Sequence, residues 1–367
     1  MLGALDLWPF PRPQEDWDLS ATRLRTRRLD VRNGLIDLSH GAGGRASAQL
    51  IEEIFHAEFD NPLLNRGDDQ AAFDVPAGRM VISTDGYVVS PLFFPGGDIG
   101  SLAVHGTIND VAMAGARRLH LAAGYIIEEG FPLADLQLIA RSMARAARDA
   151  GVSIVTGDTK VVERGKGDGV FITTTGLGLV PPGLSLSADR ARPGDQAILS
   201  GCIGDHGVAV MSKRANLGFE TDILSDSAAL HGLVAAMVCV AGPSLRVMRD
   251  PTRGGLAAAL NEIAQQSGTG CLLEEGQIPV RPEVAAACEL LGLDPLYVAS
   301  EGRLVAIVAP EAADVLVAAM RAHPLGRDAA RIGEVVADDQ CFVQMTTSFG
   351  GGRIVDWLAG EQLPRIC

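Results

Sequence analysis

Apolar residues recur along the chain with two different periods, and these periods predict where helices and strands lie. Between 132 and 150 a proline opens the segment, Leu133, Leu136 and Ala140 follow at helical spacing, and Gly151 comes after the end. A proline in the first turn and a glycine beyond the last turn are typical helix boundaries. This segment is the clearest predicted helix in the sequence.

The same patterns mix helices and strands through both halves of the chain, which predicts the α+β class. The predicted helices are 48–57, 99–114, 132–150, 204–216, 227–240, 254–266, 282–291 and 311–322. The predicted strands are 80–84, 117–127, 152–156, 170–180, 196–200, 271–273, 303–309 and 342–345.

The length of 367 residues corresponds to roughly two domains. We predict a flexible or surface-packed N-terminal extension at 1–34, rich in arginine and without periodicity. A first domain at 35–181 and a second at 190–348 are separated by a link rich in proline and glycine. Residues 349–367 are predicted to form a mobile tail.

Charge and cysteine usage exclude several classes of function. The formal net charge of -14 argues against nonspecific nucleic-acid binding and against an anionic membrane surface. No apolar run is long enough to cross a bilayer, and no signal peptide is visible. The six cysteines contain no C-x-x-C pair. We therefore expect a cytoplasmic protein without nucleic-acid or membrane partners.

The chain ends on Cys367, which Pro364 and Arg365 precede. Glycines fill 350–352, and glycine has little conformational preference, so we predict a hinge there. This pattern predicts a short arm that carries a thiol; the alternative is a frayed terminus that ends on cysteine by chance. A thiol ordinarily has a pKa of about 8.5, and the neighbouring terminal carboxylate would raise it. The thiol is thus a handle that another site must activate.

Aspartates recur beside glycines, at turns and at the predicted ends of strands. Each one alone is ordinary turn chemistry. Carboxylates that converge on one edge of a sheet would repel one another without a cation, and Mg²⁺ prefers carboxylate, water and phosphate oxygens. The predicted magnesium ligands are Asp69, Asp85, Asp110, Asp158 and Asp250.

Two glycine-rich loops, at 40–45 and at Gly254–Gly255, precede predicted helices. Main-chain N–H groups at such a helix start can approach a phosphate. Neither loop is a Walker motif, and neither identifies a nucleotide site by itself.

Six motifs together resemble the HypE family of hydrogenase maturation proteins. They are HGAGG at 40–44, PLFFPGG at 91–97, GDTKVV at 157–162, SG and GDHG within 200–207, DPTRGG at 250–255 and the terminal PRIC at 364–367. The resemblance covers the chain from about residue 35 onward. It implies the two-domain fold of aminoimidazole ribonucleotide synthase, selenophosphate synthetase and thiamine-monophosphate kinase. It also implies an ATP site at the domain cleft and a homodimer whose sheets close into a barrel.

The resemblance implies that ATP drives dehydration of an S-carbamoyl group on Cys367 to a thiocyanate, with release of ADP and phosphate. The implied cofactors are ATP and Mg²⁺. A carbamoyltransferase, HypF, would load the thiol, and a HypC–HypD iron scaffold would receive the cyanide for the [NiFe] hydrogenase centre. Phosphorylation makes the amide oxygen a leaving group, and a base must remove the protons on nitrogen.

By the same resemblance, Cys367, Lys160, Glu301 and Arg365 are the candidate catalytic residues. Lys160 and Glu301 are candidate bases, and Arg365 would pair with phosphate or guide docking. His206 is a further candidate proton carrier, and a structural role at a helix start fits it equally well. The predicted nucleotide-site residues are Asp68, Asp69, Thr84, Asp85, Asn109, Asp110, Gly157, Asp158, Thr159, Asp250, Thr252, Gly254 and Gly255.

Two alternatives stay open. A kinase or synthetase of the same superfamily would act on a free small molecule, and removal of Cys367 would leave its turnover intact. A non-catalytic carrier would bind nucleotide and present its tail, and its loaded tail would lose no water when ATP and Mg²⁺ are added.

Overall fold

The computed structural model describes residues 28–216, 223–358, 360 and 363–367. Its α-helices are α1 (Arg45–Leu50), α2 (Ala57–Phe59), α3 (Ile99–Met113), α4 (Leu133–Asp149), α5 (Asp205–Arg214), α6 (His231–Ala241), α7 (Gly255–Ser267), α8 (Pro282–Leu291) and α9 (Ala313–Arg321). Its strands are β1 (Arg79–Tyr87), β2 (Phe93–Phe94), β3 (Gly97–Asp98), β4 (Arg117–Glu128), β5 (Ser153–Val162), β6 (Val170–Val180), β7 (Gln196–Leu199), β8 (Leu245–Arg249), β9 (Gly270–Glu274), β10 (Val305–Val308), β11 (Ala330–Val336), β12 (Val343–Thr346) and β13 (Gly352–Ile354).

The first domain is built on a four-stranded sheet in the order β1-β6-β4-β5. Side chains alternate along β6, so that Ile172 and Thr174 are buried beneath α3 while their neighbours face the other way. Gly176 lets α3 come close, because a Cβ there would lie 2.8 Å from Thr107. Among the residues that the structure describes, no helix covers the opposite face as fully: the apolar side chains of Met80 and Ile82 are 55% and 68% exposed.

The second domain is built on a seven-stranded sheet in the order β13-β12-β9-β11-β7-β10-β8. Helix α7 packs on one face, where Leu256 and Leu260 meet apolar residues of β7, β9 and β11. Helices α6 and α9 pack on the other face over β7, β8 and β10. Ala112 of α3 belongs to this second core, so the first domain is packed directly against the second.

The predicted helices 132–150 and 282–291 and the predicted strand 170–180 are confirmed as α4, α8 and β6. The predicted end of a strand at 156 is wrong, because β5 continues to Val162 in parallel with β4. Strands β2, β3, β8, β11 and β13 were not predicted.

The predicted hinge at 350–352 is also wrong. These glycines form the turn of the β12–β13 hairpin, in which Gly350 has φ +82° and the N–H of Thr347 donates to the carbonyl of Gly351 at 2.7 Å. Val355, directly after β13, is fully buried. The second sheet therefore continues past the predicted domain boundary at 348.

The predicted extension lies outside the described residues as far as residue 27. From residue 28 onward it packs on the first domain, where the N–H of Leu29 donates to Glu53 at 3.0 Å. Across the described ranges, we find no helix with both the length and the apolar composition needed to cross a bilayer.

Candidate active site

The end of the chain is seated in the cleft between the two domains, and main-chain hydrogen bonds hold it against the segment after β1. The N–H of Val88 donates to the terminal Cys367 oxygen at 3.1 Å, and the N–H of Ser90 donates to the carbonyl of Arg365 at 3.2 Å. Ile366 is buried, with 3% of its surface exposed. The PRIC motif therefore docks alongside 88–90 through main-chain hydrogen bonds.

Helix α5 holds the other side of the docked end. Its His206 lies 2.8 Å from the carbonyl of Ile366, and its Arg214 donates to the carbonyls of Pro364 and Arg365 at 2.7 Å each. All four carbonyl oxygens of the last four residues thus accept hydrogen bonds from the body of the protein.

Cys367 contributes to the wall of a cavity of about 210 Å³ that is rich in carboxylates. This cavity, here called the acid cavity, is lined by Thr84, Asp85, Gly106, Asp110, Asp250, Thr252, Arg253, Glu301 and Cys367. Both domains contribute to it, since β1 and α3 belong to the first domain and residues 250–253 and 301 to the second.

Local structure places each carboxylate of the acid cavity. Asp85 lies near the end of β1, and Asp110 on the last turns of α3 accepts a hydrogen bond from Ser83 at 2.7 Å. Asp250 follows β8 directly. Glu301 precedes β10, and its main-chain carbonyl accepts a hydrogen bond from the buried Asn109 at 3.1 Å.

The crowded carboxylates raise one another's proton affinity. Burial, followed by the charge of Asp110, raises the pKa of Asp250 to about 7. Burial raises the pKa of Glu301 well above its ordinary value, and the neighbouring Asp250 adds to the effect. The Oε1 atom of Glu301 is buried and has no hydrogen-bond partner among the described residues. Such an unpartnered oxygen is costly unless a ligand satisfies it.

The docked thiol is a poor nucleophile. Burial raises the pKa of Cys367 strongly, and the charge of Glu301 raises it further. A thiolate is the reactive form of cysteine. Burial in the docked position therefore keeps the Cys367 thiol in its protonated, unreactive form.

The acid cavity fits a hard divalent cation only in part. Carboxylates and threonine hydroxyls are the oxygen ligands that Mg²⁺ accepts. In the described part of the chain, however, no three His, Cys, Asp or Glu side chains are arranged to hold a metal ion by themselves. Phosphate oxygens and water would have to complete the coordination, as is usual for Mg²⁺ at nucleotide sites.

The GDTK residues at 157–160, which were predicted to join this site, lie away from the acid cavity in the folded protein. Asp85 and Gly157 share one row of the first sheet but lie on its two outer strands, three strand spacings or about 14 Å apart. Lys160 binds Asp158 at 2.5 Å, and both side chains are more than 60% exposed. Asp158 is therefore inside a strand and is not brought to the other aspartates.

A second cavity of about 240 Å³ opens beside these residues and is mostly apolar. It is lined by His40, Gly41, Gly43, Ser47, Ile51, Phe55, His56, Phe59, Leu64, Ala123, Tyr125, Ile154, Thr156, Gly157, Asp158, Thr159 and Lys160. The HGAGG and GDTK motifs, which are far apart in sequence, thus line one cavity, here called the glycine-loop cavity.

The remaining predicted site residues have varied surroundings. Asp68 and Asp69 are exposed in the loop before β1 and line neither cavity. Asn109 uses its side chain to bind main-chain groups of Ala228, Leu230 and Glu301, so it ties the domains together and has no donor left for a nucleotide.

Backbone conformation and close packing require glycine at both positions of the pair that starts α7. Gly254 and Gly255 have φ of +77° and +63°, and a Cβ on Gly255 would lie 2.5 Å from the carbonyl oxygen of Leu296. Gly254 and Arg253 also line a cavity of about 260 Å³ on the other side of Cys367. This helix start therefore lies beside the docked end.

Sequence reasoning missed residues that position others. The carboxylate of Asp226 accepts hydrogen bonds from the N–H groups of Glu301 and Gly302, and Arg214 holds the tail. Asp226 stands in an ordinary Ser-Asp-Ser stretch, and Arg214 stands near a helix end where a cation is expected anyway. Only spatial proximity reveals their roles.

Comparison with known proteins first defines the class. Residues 67–180 match the family model of the AIR synthase related protein N-terminal domain, and residues 192–346 match that of the C-terminal domain. The two models meet at the cleft that holds the acid cavity. The predicted two-domain architecture of this class is confirmed.

Individual relatives narrow the class further. Carbamoyl dehydratase HypE of Bradyrhizobium diazoefficiens is 72% identical over 341 residues, which cover 93% of this chain and 99% of the relative. A crystal structure of hydrogenase maturation protein HypE in complex with ATP is 50% identical, with a TM-score of 0.87, and the match covers 90% of this chain and 99% of that one. HypE in a crystal structure of a HypE–HypF complex is 48% identical, with a TM-score of 0.74, over 84% and 99% of the two chains. The chain belongs to the HypE family, the carbamoyl dehydratases of hydrogenase maturation.

Proposed function

We propose that this chain uses ATP to dehydrate an S-carbamoyl group on its own Cys367, which yields a thiocyanate on the same sulfur. One observation carries the proposal: the terminal cysteine lies in the interdomain cavity that also holds Glu301 and three aspartates. A nucleotide-dependent reaction on the tail needs these groups within reach of the sulfur.

The chemistry balances without any further reactant. The γ-phosphoryl group of ATP is transferred to the carbamoyl oxygen, and one proton leaves nitrogen. Loss of the second proton from nitrogen then expels phosphate and forms the carbon–nitrogen triple bond. The products are thiocyanate, ADP and phosphate, so the oxygen of the amide leaves in phosphate.

Glu301 is the proposed base for the nitrogen protons. Its unpartnered, buried Oε1 faces no competing donor among the described residues, and the surrounding negative charge raises its proton affinity. A carboxylate with a raised pKa is a stronger base when it is ionised, and the positive charge of a bound Mg²⁺ would favour the ionised form of Glu301. Arg365 is assigned to docking, because its side chain binds the carbonyl of Val88 and the carboxylate of Asp168.

ATP is the proposed phosphoryl donor, supported by the ATP complex of the HypE relative. Asp85, Asp110 and Asp250 are the proposed magnesium-holding residues of the acid cavity. Bound Mg²⁺ would supply charge neutralisation for the phosphates. The chain's own contribution is to place several carboxylate oxygens, as possible metal ligands, in the same buried cavity as Cys367.

A homodimer is proposed to supply Lys160 to the acid cavity. The exposed face of the first sheet carries Met80, Ile82 and Ile126, which a second copy would cover. If two such sheets close into a barrel that joins β1 of one subunit to β5 of the other, Asp85 lies near Lys160 of the partner subunit. The glycine-loop cavity then lies beside the acid cavity of the other subunit and is proposed to hold the base of the nucleotide.

The proposed partners are HypF, which would load the thiol, and HypC–HypD, which would receive the cyanide. The HypE–HypF complex of a relative supports the first. A cytoplasmic location is proposed because all six cysteines are free thiols, as expected of a reducing compartment.

Intact mass spectrometry of carbamoylated protein tests the proposal. We expect the mass of one water to be lost only when both ATP and Mg²⁺ are present, and Cys367→Ala protein to carry no carbamoyl group at all. Turnover of a free small molecule by the Cys367→Ala protein would instead favour the kinase or synthetase alternative. A loaded tail that keeps its water with ATP present would favour a carrier.

A further inference from the structure

Two residues of α5 hold the docked tail without touching the reacting sulfur. Arg214 donates from Nη1 to the carbonyl of Pro364 and from Nη2 to that of Arg365, both at 2.7 Å. Its Nε donates to the carbonyl of Ser90 at 2.8 Å, so a single guanidinium joins the tail to the segment it pairs with. Five donors in one rigid plane suit Arg to this task better than Lys.

His206 completes the contacts from the same helix. Its Nε2 lies 2.8 Å from the carbonyl of Ile366, and its Nδ1 lies 2.8 Å from the hydroxyl of Ser225. A carbonyl oxygen only accepts, so Nε2 carries the proton, and Nδ1 accepts from the hydroxyl. Residues at i, i+4 and i+8 share one face of a helix, which places His206 and Arg214 along one stripe of α5.

Neither side chain lines the acid cavity. Their contacts to the tail are hydrogen bonds to main-chain carbonyls, which every peptide presents. The strength of these contacts therefore depends on the backbone conformation of the last four residues. Arg365 has φ of +53°, a left-handed conformation that aims its carbonyl at Arg214 and at the N–H of Ser90. These contacts can therefore be removed while the reacting groups stay in place.

We propose that His206 and Arg214 are positioning residues that hold the tail docked and so set the balance between dehydration and loading. The inference rests on the proposed function, in which Cys367 is loaded outside the cleft and dehydrated inside it. Weaker contacts would raise the undocked fraction. Loading would then become faster and dehydration slower, and a merely structural defect would not produce these opposite changes.

The first measurement is the rate at which iodoacetamide alkylates Cys367 in the full-length, unloaded protein, followed by peptide mass spectrometry. His206→Leu removes one hydrogen bond to the tail and Arg214→Ala removes two, so each is expected to raise this rate at least about tenfold. Cys239, which is exposed, reports in the same sample on any general loosening. Lys213→Ala, an exposed neighbour on the same helix, is the matched control and is expected to alkylate at the wild-type rate.

The second measurement compares loading by the carbamoyltransferase with dehydration by ATP and Mg²⁺. Arg214→Ala is expected to load at least as fast as wild type and to dehydrate about tenfold more slowly. His206→Gln keeps an N–H donor near the position of Nε2 and is expected to recover most of the dehydration rate that His206→Leu loses. Melting curves check that each variant is folded. If His206→Leu, a change at a buried residue, does not fold, the measurements on Arg214→Ala, a change at a partly exposed residue, test the proposal by themselves.

Unchanged alkylation of Cys367 in Arg214→Ala would overturn the inference, and so would loading and dehydration that fall together. These outcomes are separate from failure of the proposed function. If wild-type protein does not dehydrate its loaded tail, the function fails, whereas the alkylation result still decides whether α5 holds the tail.

Discussion

The carboxylate of Asp226 accepts hydrogen bonds from the main-chain N–H of Glu301 at 3.1 Å and of Gly302 at 3.2 Å. Arg303 faces the same carboxylate at 3.7 Å, and both side chains are at least 90% buried. Asp226 therefore fixes the backbone that carries the proposed base.

The first prediction is that Asp226→Asn slows dehydration more than tenfold and lowers the free energy of unfolding by about 1–3 kcal/mol. An amide has one acceptor oxygen, so one of the two N–H groups loses its partner, and Arg303 loses a balancing charge. Urea unfolding and the mass assay measure the two effects. Asp189→Asn, an exposed aspartate, serves as the control; a wild-type dehydration rate in Asp226→Asn would contradict the positioning role.

The second prediction concerns the base itself. Glu301→Gln keeps the shape of the side chain and removes its ability to accept a proton, so we expect dehydration to slow by about 10²–10⁴-fold. Loading and the alkylation of Cys367 should stay near the wild-type rate, because neither requires the carboxylate. Glu289→Gln on the exposed face of α8 is the matched control. A fall of less than about threefold in Glu301→Gln would assign the proton transfer to another group.

The third prediction tests whether Lys160 acts on the acid cavity of its own subunit or on that of the other subunit. Lys160→Ala subunits, which carry an intact tail, are mixed with Cys367→Ala subunits, which carry an intact lysine. If Lys160 acts on the acid cavity of the other subunit, the mixed dimer dehydrates its one tail although neither parent is active. An inactive mixture, with hybrid dimers demonstrated by native mass spectrometry, would place Lys160 in the site of its own chain or outside the reaction.

The fourth prediction is a pH dependence at His206. Burial lowers its pKa below the ordinary 6.5, while the Ile366 carbonyl and the charge of Asp226 partly oppose the shift. Ser225 and the ring of Phe94 are its other neighbours, and neither carries a charge.

Because the pKa is lower in the folded protein, the unfolded chain binds the proton more tightly, and folding loses stability as pH falls below about 6.5. We expect wild type to lose up to about 1.4 kcal/mol per pH unit below this value relative to His206→Gln, which does not titrate. Urea unfolding at pH 7.5 and 5.5 measures the difference. Parallel losses in the two proteins would show that His206 is not the group responsible.

The fifth prediction concerns the chain end. The terminal oxygen of Cys367 accepts from Val88 at the wall of the acid cavity, so added residues would have to occupy that cavity. Two glycines after Cys367 should abolish dehydration and leave ATP binding intact, as calorimetry would measure. The same two glycines added at the N-terminus provide the control. An active protein with the C-terminal addition would contradict the docked geometry.

The elements that the sequence predicted well are those whose residues carry both a period and a boundary. In α4 the apolar stripe lies between Pro132 and Gly151, and in β6 strict alternation follows from one buried face. Strand β5 was cut short because Gly157-Asp158 has the composition of a turn, although pairing with β4 keeps it extended. The glycines at 350–352 have the composition of a hinge, yet a hairpin fixes them.

Site residues were predictable from the sequence where they stand in short, recognisable motifs. They were not predictable where membership of the site depends on the distance between residues in the folded protein. Cys367, Glu301 and Asp250 do meet in one cavity. Asp158 has the same chemistry but lies on the far strand of the sheet, and sheet order is not visible in one sequence. Asn109 resembles a ligand, whereas its buried amide is used entirely by main-chain groups.

Within the described part of the chain, the hydrogen bonds to the docked end stop at the oxygen of the last residue, and none of them involves the sulfur. A bare, a carbamoylated and a cyanated arm therefore present the same surface to α5 and to the segment after β1. These hydrogen bonds therefore contribute equally to docking of the loaded and of the unloaded tail. The order of the steps has to be set by turnover of the nucleotide and by the affinity of the next partner protein for the tail.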